Sequence, residues 1–389
     1  MYKFLPYMTN DYSVGLYNED TNDIYHSAFG ALTEAFEKFG NSLTPMFENN
    51  THLKALDICY GIGYNTKALL QNAISHSVNI DIDCVDTDGT LMELSPFVSS
   101  YINLFDRIKY NNVLYKNIQN YHEAEKIVKL KTKKSDYVLE KKVNYIILKN
   151  LLSMDDLNSN FQNLSNEVIQ ILNEKENRPF FDKNMAEFCK FWSKIGIQLY
   201  QNKNKSAFVH NIYYRYLSKR YKILKNLLKN DNYKLNFYKS DIRDFIKQTD
   251  STYDIIMLDG FTPAKCPAIW SVEMFKELYT HLSDTGRLVT YNMSAPVRHA
   301  MKLAGFNVGN ITNDEKEYIG TIATKNQSYI KYPLTDKQNG LLETKAGIPY
   351  RDENLSLDND TIIKNRKIEV ENSDLISTSK YLKGHKNEV

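Results

Sequence analysis

The feature that most constrains the fold is an apolar, strand-like run that ends abruptly in an acidic turn. Ile255-Ile256-Met257-Leu258 has the composition of a buried strand, and Asp259-Gly260 follows it directly. A loop that contains Pro263 and Pro267 comes next and leads into a helical pattern. In an open α/β sheet, ligands bind outside the carboxyl ends of the strands. The pattern therefore predicts an α/β sheet that presents the Asp259 carboxylate to a ligand crevice.

A second strand-to-turn pattern lies far upstream and has glycines where the first has an acid. Residues 53–58 read as a strand, Gly61-Ile62-Gly63 as a loop, and residues 66–74 as a helix. A further strand over residues 78–85 ends at Asp86, which completes the βαβ unit of a doubly wound sheet. The GxG loop is weak evidence by itself because many such loops only make a tight turn. It lacks the third glycine of the dinucleotide fingerprint, which disfavours a pyrophosphate cofactor.

Composition places the chain among globular proteins and excludes several functional classes. The 389 residues are 42% hydrophobic and 25% charged, and the net charge of +2 gives no global sign of a nucleic-acid binder. The four cysteines are widely spaced, without CxxC or a Cys/His cluster, so we expect neither a disulfide framework nor a metal site. No apolar run approaches the ~20 residues that span a membrane. We therefore expect a cytoplasmic protein without a membrane partner.

The pattern of strands, helices and composition divides the chain into five regions. They are N-terminal strands and a substrate-side helix (1–50), the first half of the sheet (51–114), a mostly helical insertion rich in Lys, Asn and Tyr (115–232), the second half of the sheet (233–330) and a partly flexible C-terminal extension (331–389). Residues 306–308 and 318–324 predict an antiparallel hairpin at the sheet edge. Beyond about residue 355 we expect an extended or loosely attached tail.

Acidic residues at two other strand ends are candidate contacts for a nucleoside. A carboxylate after the second strand accepts hydrogen bonds from both ribose hydroxyls, which favours Asp86, with Asp88 as the second candidate. Asp241 follows a strand over residues 235–238, which is the strand before the one that leads to Asp259. At this position it would receive the adenine amino group. The alternative for each is a helix cap, since Asp is a preferred N-cap residue.

Asp259 is the candidate for catalysis because the strand before it is wholly apolar, so that the carboxylate is exposed only at the rim of the sheet. The alternative is a satisfied structural acid. In the following loop, Lys265 either meets a phosphate or is solvated, and Trp270 is interpreted as an aromatic anchor that packs. The prolines restrict φ and stiffen this loop.

Two further segments are candidate substrate surfaces. An amphipathic helix over residues 28–39 has a polar start that includes His26, Ser27 and Gly30. The stretch 209–222 mixes cations such as Arg215 with several tyrosines, as expected of a helix that contacts RNA. Its tyrosines also fit a buried helical stripe, so that both interpretations stay open.

Several of these motifs together resemble a known family. LDGFTPAKCPAIW is similar to the DGFxPxKNPxxW signature of the MnmC-type methyltransferase module, which completes 5-methylaminomethyl-2-thiouridine at the wobble position of bacterial tRNA. HSAFGALTEAF, DICYGIGYNT and TYNMSAPVRHAMKLAGF match its pattern in the same order. The similarity covers roughly residues 20–100 and 235–350.

The resemblance implies a Rossmann-like class I fold with S-adenosylmethionine as cofactor, tRNA as partner and N-methylation of the 5-aminomethyl group of the wobble uridine. It implies a set of cofactor-binding residues and a set of substrate-side residues beside the catalytic Asp259. The cofactor set is Asp57, Gly61, Gly63, Asn65, Asp86 and Asp241, and the substrate set is His26, Ser27, Gly30, Phe261, Pro263 and Lys265. Arg215 lies in the helical middle, which the resemblance does not cover, and is a substrate-side candidate only because of the cationic and aromatic stretch that contains it.

Two departures from the family pattern qualify the resemblance. Cys266 replaces the usual Asn of the signature loop, which leaves a side-chain contact from that position in doubt. The bifunctional members carry an FAD-dependent oxidase domain, for which this sequence has no second glycine fingerprint, so we expect a stand-alone methyltransferase whose aminomethyl substrate is made by a separate enzyme. The alternatives are a polyamine aminopropyltransferase-like enzyme and a non-catalytic RNA-binding protein on a methyltransferase fold.

Overall fold

The computed structural model describes residues 4–8, 14–18, 23–26, 30–89, 91 and 233–384. The predicted helical insertion, with Arg215, and Ser27 lie outside the described residues. The described part divides into two compact units, one within residues 1–36, 61–77 and 88–234, and the other within residues 37–60, 78–87 and 235–389.

The first unit contains a small antiparallel sheet in the order β1-β2-β3. Its strands are Phe4–Met8, Val14–Asn18 and Asp23–Ile24. The helix predicted over residues 28–39 begins as α1 (Ala31–Glu34), continues as a π-helical turn (Ala35–Gly40) and ends as α2 (Asn41–Glu48), which belongs to the second unit. Helix α3 (Tyr64–His76) follows the glycine loop and packs on α1 within the first unit.

The second unit is built on a seven-stranded sheet. Its strands in chain order are β4 (His52–Ile58), β5 (Asn79–Asp86), β6 (Tyr233–Lys239), β7 (Tyr253–Leu258), β8 (Leu282–Thr290), β9 (Asn307–Thr312) and β10 (Tyr318–Thr324). The spatial order is β6-β5-β4-β7-β8-β10-β9, in which β4 pairs in parallel with both β5 and β7. This is the predicted Rossmann-like class I architecture, and the strand order reverses between β4 and β7.

The predicted hairpin at the sheet edge is confirmed. Strand β10 pairs antiparallel with β9 on one side and with β8 on the other, so that β9 lies at the edge of the sheet. The connection between β9 and β10 is short, which suits an antiparallel pair, whereas the parallel strands need helical crossovers.

Three helices of the second unit each follow one of its parallel strands, and three more come after the last strand, β10. They are α4 (Ile242–Gln248), α5 (Val272–His281), α6 (Ala295–Leu303), α7 (Asp336–Leu342), α8 (Asn359–Asn372) and α9 (Thr378–Gly384). The largest fully buried side chains of this unit include Trp270, Tyr253 and Phe275. Among the described helices, none combines the length and the apolar character needed to cross a membrane.

The prediction of an extended tail after residue 355 is wrong, because residues 359–372 form helix α8. Asp358 caps this helix by accepting a 2.8 Å hydrogen bond from the Thr361 amide. Arg366 fixes the helix to the rest of the unit by donating to the Ile348 carbonyl at 2.7 Å and by stacking on the Tyr350 ring. Tertiary contacts therefore stabilise a helix whose sequence carries little amphipathic pattern.

Candidate active site

The candidate active site of the second unit is the carboxyl edge of its parallel strands. Ile58 of β4 is in register with Leu258 of β7, so the residues that follow both strands lie at the same edge. The Asp259 amide donates to the Ile58 carbonyl at 3.3 Å, which continues the ladder past the strand end. Because the strand order reverses between these two strands, their carboxyl ends open the crevice in which such sheets bind ligands.

Asp259 is half-buried at the end of a strand whose last four residues are fully buried. The next residue, Gly260, is buried, and a Cβ placed there would overlap the Ile269 side chain and lie 3.1 Å from the Cys59 Sγ. Any larger residue at this position would therefore have to displace the end of the Ile269 side chain. The chain after Asp259 thus runs closely against Ile269 and Cys59.

The loop after Asp259 is held by two aromatic side chains that donate hydrogen bonds to its backbone. The Trp270 indole Nε1 donates to the Phe261 carbonyl at 2.8 Å, and the Tyr291 hydroxyl donates to the Gly260 carbonyl at 2.9 Å. The two rings pack edge to face, with centroids 6.0 Å apart. Trp270 is fully buried, as its interpretation as a packing anchor predicted. Sequence reasoning missed the role of Tyr291, because only its position after β8 marks it.

The three other predicted residues of this loop differ in exposure. Phe261 and Pro263 are half-buried, whereas Lys265 is exposed. Cys266, the departure from the family signature, is half-buried and packs against the hydrophobic core. Burial, followed by the negative charge of Asp241, raises the pKa of the Cys266 thiol. The thiol is therefore neutral at physiological pH and serves packing at this position.

Cys59 follows β4 and has a backbone φ of +62°, in the left-handed region that residues with a Cβ rarely occupy. Burial raises the pKa of its thiol well above the ordinary value, and in decreasing order the Asp86 carboxylate, the Cys266 thiol and the carboxylates of Asp259 and Asp57 raise it further. A thiol kept neutral by its surroundings is a poor nucleophile.

Asp57 and Asp86 lie near the carboxyl ends of neighbouring strands. Asp57 is fully buried on β4, whereas Asp86, the last residue of β5, is half-buried. The Ser240 amide donates to the Asp86 carbonyl at 3.0 Å, so the turn that carries Asp241 begins beside the end of β5. The structure therefore brings Asp57, Asp86, Asp241 and Asp259 to one edge of the same unit. Asp88, the second candidate, belongs to the first unit.

Asp241 is the N-cap of α4, as its alternative interpretation predicted. One carboxylate oxygen accepts a 2.9 Å hydrogen bond from the Arg243 amide, and the guanidinium of the same residue contacts both oxygens. Burial opposes ionisation, but the hydrogen bonds from Arg243 outweigh it and lower the pKa of Asp241. The carboxylate is therefore ionised, and about a third of the side chain, 34%, stays exposed. The two oxygens already accept four contacts from Arg243, so a further donor at this exposed side chain would share an oxygen with that residue.

The glycine loop belongs to the first unit. Gly61 and Gly63 have φ of +56° and +77°, a region that residues with a Cβ rarely occupy. Asn65 in the first turn of α3 is buried. The Lys67 amide donates to the Gly63 carbonyl at 3.0 Å and so begins the helix at the glycine. Glycine is required here by the backbone turn itself.

Two predicted substrate-side residues also lie in the first unit. The His26 ring contacts the Tyr64 ring edge to face, with centroids 5.1 Å apart, and its Nδ1 lies 4.0 Å from the Glu34 carboxylate. Gly30 is buried, and its carbonyl accepts from the Glu34 amide. Within this unit, His26 before the first helix therefore contacts Tyr64, the residue that follows the glycine loop. Within the described ranges, no group of three His, Cys, Asp or Glu side chains is arranged to hold a metal ion.

Comparisons with known proteins agree with this geometry. Residues 203–325 match the family model described as S-adenosyl-L-methionine-dependent methyltransferase. An uncharacterised protein of Methanocaldococcus jannaschii is 24% identical over 384 residues, which span 96% of this chain and 75% of that relative. The crystal structure of MNMC2 from Aquifex aeolicus superposes with a TM-score of 0.57 at 15% identity and covers 96% of this chain and 87% of that one.

A shorter segment matches bacterial bifunctional proteins. The tRNA 5-methylaminomethyl-2-thiouridine biosynthesis bifunctional protein MnmC of Azoarcus sp. is 38% identical over 74 residues, 19% of this chain. That of Ralstonia nicotianae is 35% identical over 74 residues. The matched segment spans 12% and 11% of these two relatives.

The fold and the family match define the chain as a methyltransferase that depends on S-adenosylmethionine. Within that class, it is similar to the MnmC-type methyltransferases, as the Asp-Gly-Phe loop predicted.

Proposed function

We propose that this enzyme methylates the amino nitrogen of a 5-aminomethyl group on the wobble uridine of tRNA and gives 5-methylaminomethyl-(2-thio)uridine. The observation that carries the proposal is the placement of Asp259 where the strand order reverses, on a loop fixed by Trp270 and Tyr291. The similarity to proteins named for tRNA 5-methylaminomethyl-2-thiouridine biosynthesis supports this choice of acceptor.

The hydrogen-bond acceptors at this edge of the sheet suit the cofactor. An adenosyl group presents ribose hydroxyls and an exocyclic amine, all hydrogen-bond donors, and Asp86 and Asp241 supply carboxylate acceptors after adjacent strands. The positive φ of Gly61 and Gly63 suits a backbone that approaches a ligand closely. In this assignment, Asp57 and Asn65 complete the methionine side. When bound, the sulfonium of S-adenosylmethionine supplies an electrophilic methyl group.

Asp259 orients the acceptor amine and takes up its proton. The nitrogen must be neutral to form the new N–C bond, and it gains a positive charge as that bond forms. A carboxylate within hydrogen-bond reach stabilises this charge and accepts the proton that the product amine releases. Rigid placement contributes most of the rate enhancement, because both reactants are held in line. The fixed loop at Gly260 and Phe261 provides that rigidity.

Phe261, Pro263 and Lys265 form the acceptor side of the site in this proposal. Lys265 is exposed and carries the charge expected of a phosphate contact, while Phe261 and Pro263 are half-buried beside it in sequence. His26, Ser27, Gly30 and Arg215 are proposed further contacts to the RNA. The aminomethyl group itself must come from a separate reaction that installs an amine on the uridine, since methyl transfer does not create one.

Methyl transfer from labelled S-adenosylmethionine to tRNA that carries the unmethylated aminomethyl wobble uridine tests the proposal. Nucleoside mass analysis should show a mass gain of one methyl group at that nucleoside. Matched tRNA with an unmodified wobble uridine is the control and should stay unlabelled. Cofactor binding without methylation of this tRNA would reject the aminomethyl uridine as the acceptor. Methylated polyamines in a parallel assay would then identify a polyamine as the acceptor.

A further inference from the structure

The carboxylate of Asp241 is held in place by a guanidinium from its own helix. Arg243 Nη2 lies 2.9 Å from Oδ2, and Nε lies 3.2 Å and 3.3 Å from Oδ1 and Oδ2. A planar guanidinium that contacts both oxygens fixes the orientation of a carboxylate, which a single point charge does not. The orientation of Asp241 therefore depends on the orientation of Arg243.

Arg243 is itself fixed by a segment more than one hundred residues further along the chain. Its Nη1 donates to Asp352 Oδ2 at 3.0 Å and to the Leu357 carbonyl at 2.7 Å. Asp352 is fully buried, and its Oδ1 accepts from the amides of Ser356 and Leu357 at 2.9 Å and 2.8 Å. One buried carboxylate thus organises the segment and holds the guanidinium.

The segment 351–357 is anchored on both neighbouring helices. Lys247 of α4 donates to the Asn354 carbonyl at 2.8 Å, and Glu273 of α5 accepts from the Asp352 amide at 2.8 Å. Leu355 is buried in the hydrophobic core. Asn354 and Leu355 both have positive φ, at +62° and +51°. Such a conformation costs energy for residues with a Cβ and persists only when its surroundings fix it.

We propose that Arg243 and Asp352 are positioning residues through which the segment 351–357 sets the selectivity of the site for the adenine base. The inference rests on the proposed role of Asp241 as acceptor for the adenine amino group. An amine donates to a carboxylate, whereas the oxo group of hypoxanthine cannot, so a correctly oriented Asp241 favours an adenosyl over an inosyl ligand. Loss of the orientation removes the preference before it removes binding.

Calorimetric binding of S-adenosylhomocysteine and S-inosylhomocysteine measures this preference without any turnover. The wild-type protein should bind the adenosyl compound at least tenfold more tightly. Arg243→Lys replaces the planar guanidinium with a compact ammonium and should reduce the ratio of the two affinities at least threefold. Asp352→Asn should reduce the ratio to a similar degree. Arg351→Lys is the matched control, since Arg351 lies in the same segment but pairs with Glu273 of α5 and not with Asp241, and it should keep the wild-type ratio.

The possible failures are distinguishable. A wild-type protein that binds both compounds equally would show that Asp241 does not accept from adenine, and a protein that binds neither would overturn the cofactor site. A strong wild-type preference that both variants retain would overturn only the role of Arg243 and Asp352. If the variants do not fold, hydrogen exchange on the wild-type protein tests the proposal instead. The adenosyl compound should protect amides of 351–357 more than the inosyl compound does, and equal protection would contradict the proposal.

Discussion

The hydroxyl of Tyr291 donates a 2.9 Å hydrogen bond to the carbonyl of Gly260, the residue next to the candidate catalytic acid. Tyr291 follows β8, and Gly260 follows β7, so that this bond joins two strand ends across the edge of the sheet. Lys38 places its ammonium 5.9 Å from the centroid of the same Tyr291 ring. The second unit thus fixes the acidic loop from a neighbouring strand.

Removal of this hydroxyl should slow methyl transfer without weakening cofactor binding. In Tyr291→Phe the ring keeps its contact with Trp270, but the Gly260 carbonyl loses its donor, at a cost of about 1 kcal/mol in the free energy of unfolding. A less rigid loop should lower kcat roughly tenfold. Steady-state kinetics and cofactor titration measure the two effects. Tyr279→Phe, on a ring that packs against Phe306, is the control, and an unchanged kcat for Tyr291→Phe would assign the bond to stability only.

Replacement of Asp259 by Ala should abolish methyl transfer and leave cofactor binding nearly intact. Loss of a positioned proton acceptor costs at least ~100-fold in rate. Rapid-quench methyl transfer to the aminomethyl tRNA and calorimetry with S-adenosylhomocysteine give the two readouts. Asp250→Asn, at an exposed position, is the matched control. Lost affinity for the cofactor with Asp259→Ala would move this residue from the acceptor side to the cofactor side.

Gly260→Ala should destabilise the second unit, because the added Cβ overlaps the Ile269 side chain. Overpacking of this kind costs about 1–3 kcal/mol in the free energy of unfolding. Ile269→Val removes the overlapping Cδ1 and should cost about 0.5–1.5 kcal/mol by itself. The double variant should be more stable than the sum of the two predicts, by about 1 kcal/mol. Urea unfolding of the four proteins gives this coupling, and strict additivity would refute the packing explanation.

The left-handed conformation of Cys59 predicts an unusual order of stability between two variants. Alanine keeps the strain of a Cβ at φ +62°, whereas glycine relieves it. Both substitutions remove the thiol, so their comparison isolates the backbone effect. Cys59→Gly should be more stable than Cys59→Ala by about 1 kcal/mol in urea unfolding. The usual preference for alanine would indicate that the turn relaxes to a negative φ when the thiol is absent.

The ion pair of Asp241 and Arg243 predicts the direction of a pH effect on stability. The pKa of Asp241 is lower in the folded protein, so its contribution is complete above the ordinary pKa of ~3.9 and is lost as the pH falls through the lower folded value. The difference in unfolding free energy between wild type and Asp241→Asn should be the same at pH ~7 and ~5 and should shrink below pH ~4. A difference that persists unchanged in acid would show that the carboxylate charge contributes nothing.

Local patterns in the sequence predict most of the second unit. Strand β7 is recognisable because its last four residues are apolar and Asp259 follows directly, and the glycine turn after β4 is recognisable because its backbone needs positive φ. Asp259, Asp86 and Asp57 reach the same edge because parallel strands end together. These are consequences of residues close in sequence and of one rule of sheet topology.

Contacts between distant residues were not predictable. Arg243 and Asp352 are 109 positions apart, and neither has a local signature that indicates the other. The buried Asp83 accepts hydrogen bonds from Tyr253 at 2.9 Å and from Asn236 at 2.8 Å, a polar contact among three strands that an alternating pattern does not reveal. Helix α8 was missed for the same reason, since its stability comes from Arg366 and Tyr350 and not from its own periodicity.

The folded unit extends beyond the segment that the family model matches. The family match ends at residue 325, yet Leu334, Leu342 and Leu355 are buried in the same core as Trp270. The Tyr350 carbonyl accepts a 3.1 Å hydrogen bond from the Val272 amide at the start of α5. A recombinant fragment that stops at the edge of the family match would expose this apolar surface and aggregate, so the boundary for expression lies beyond residue 372, where α8 ends.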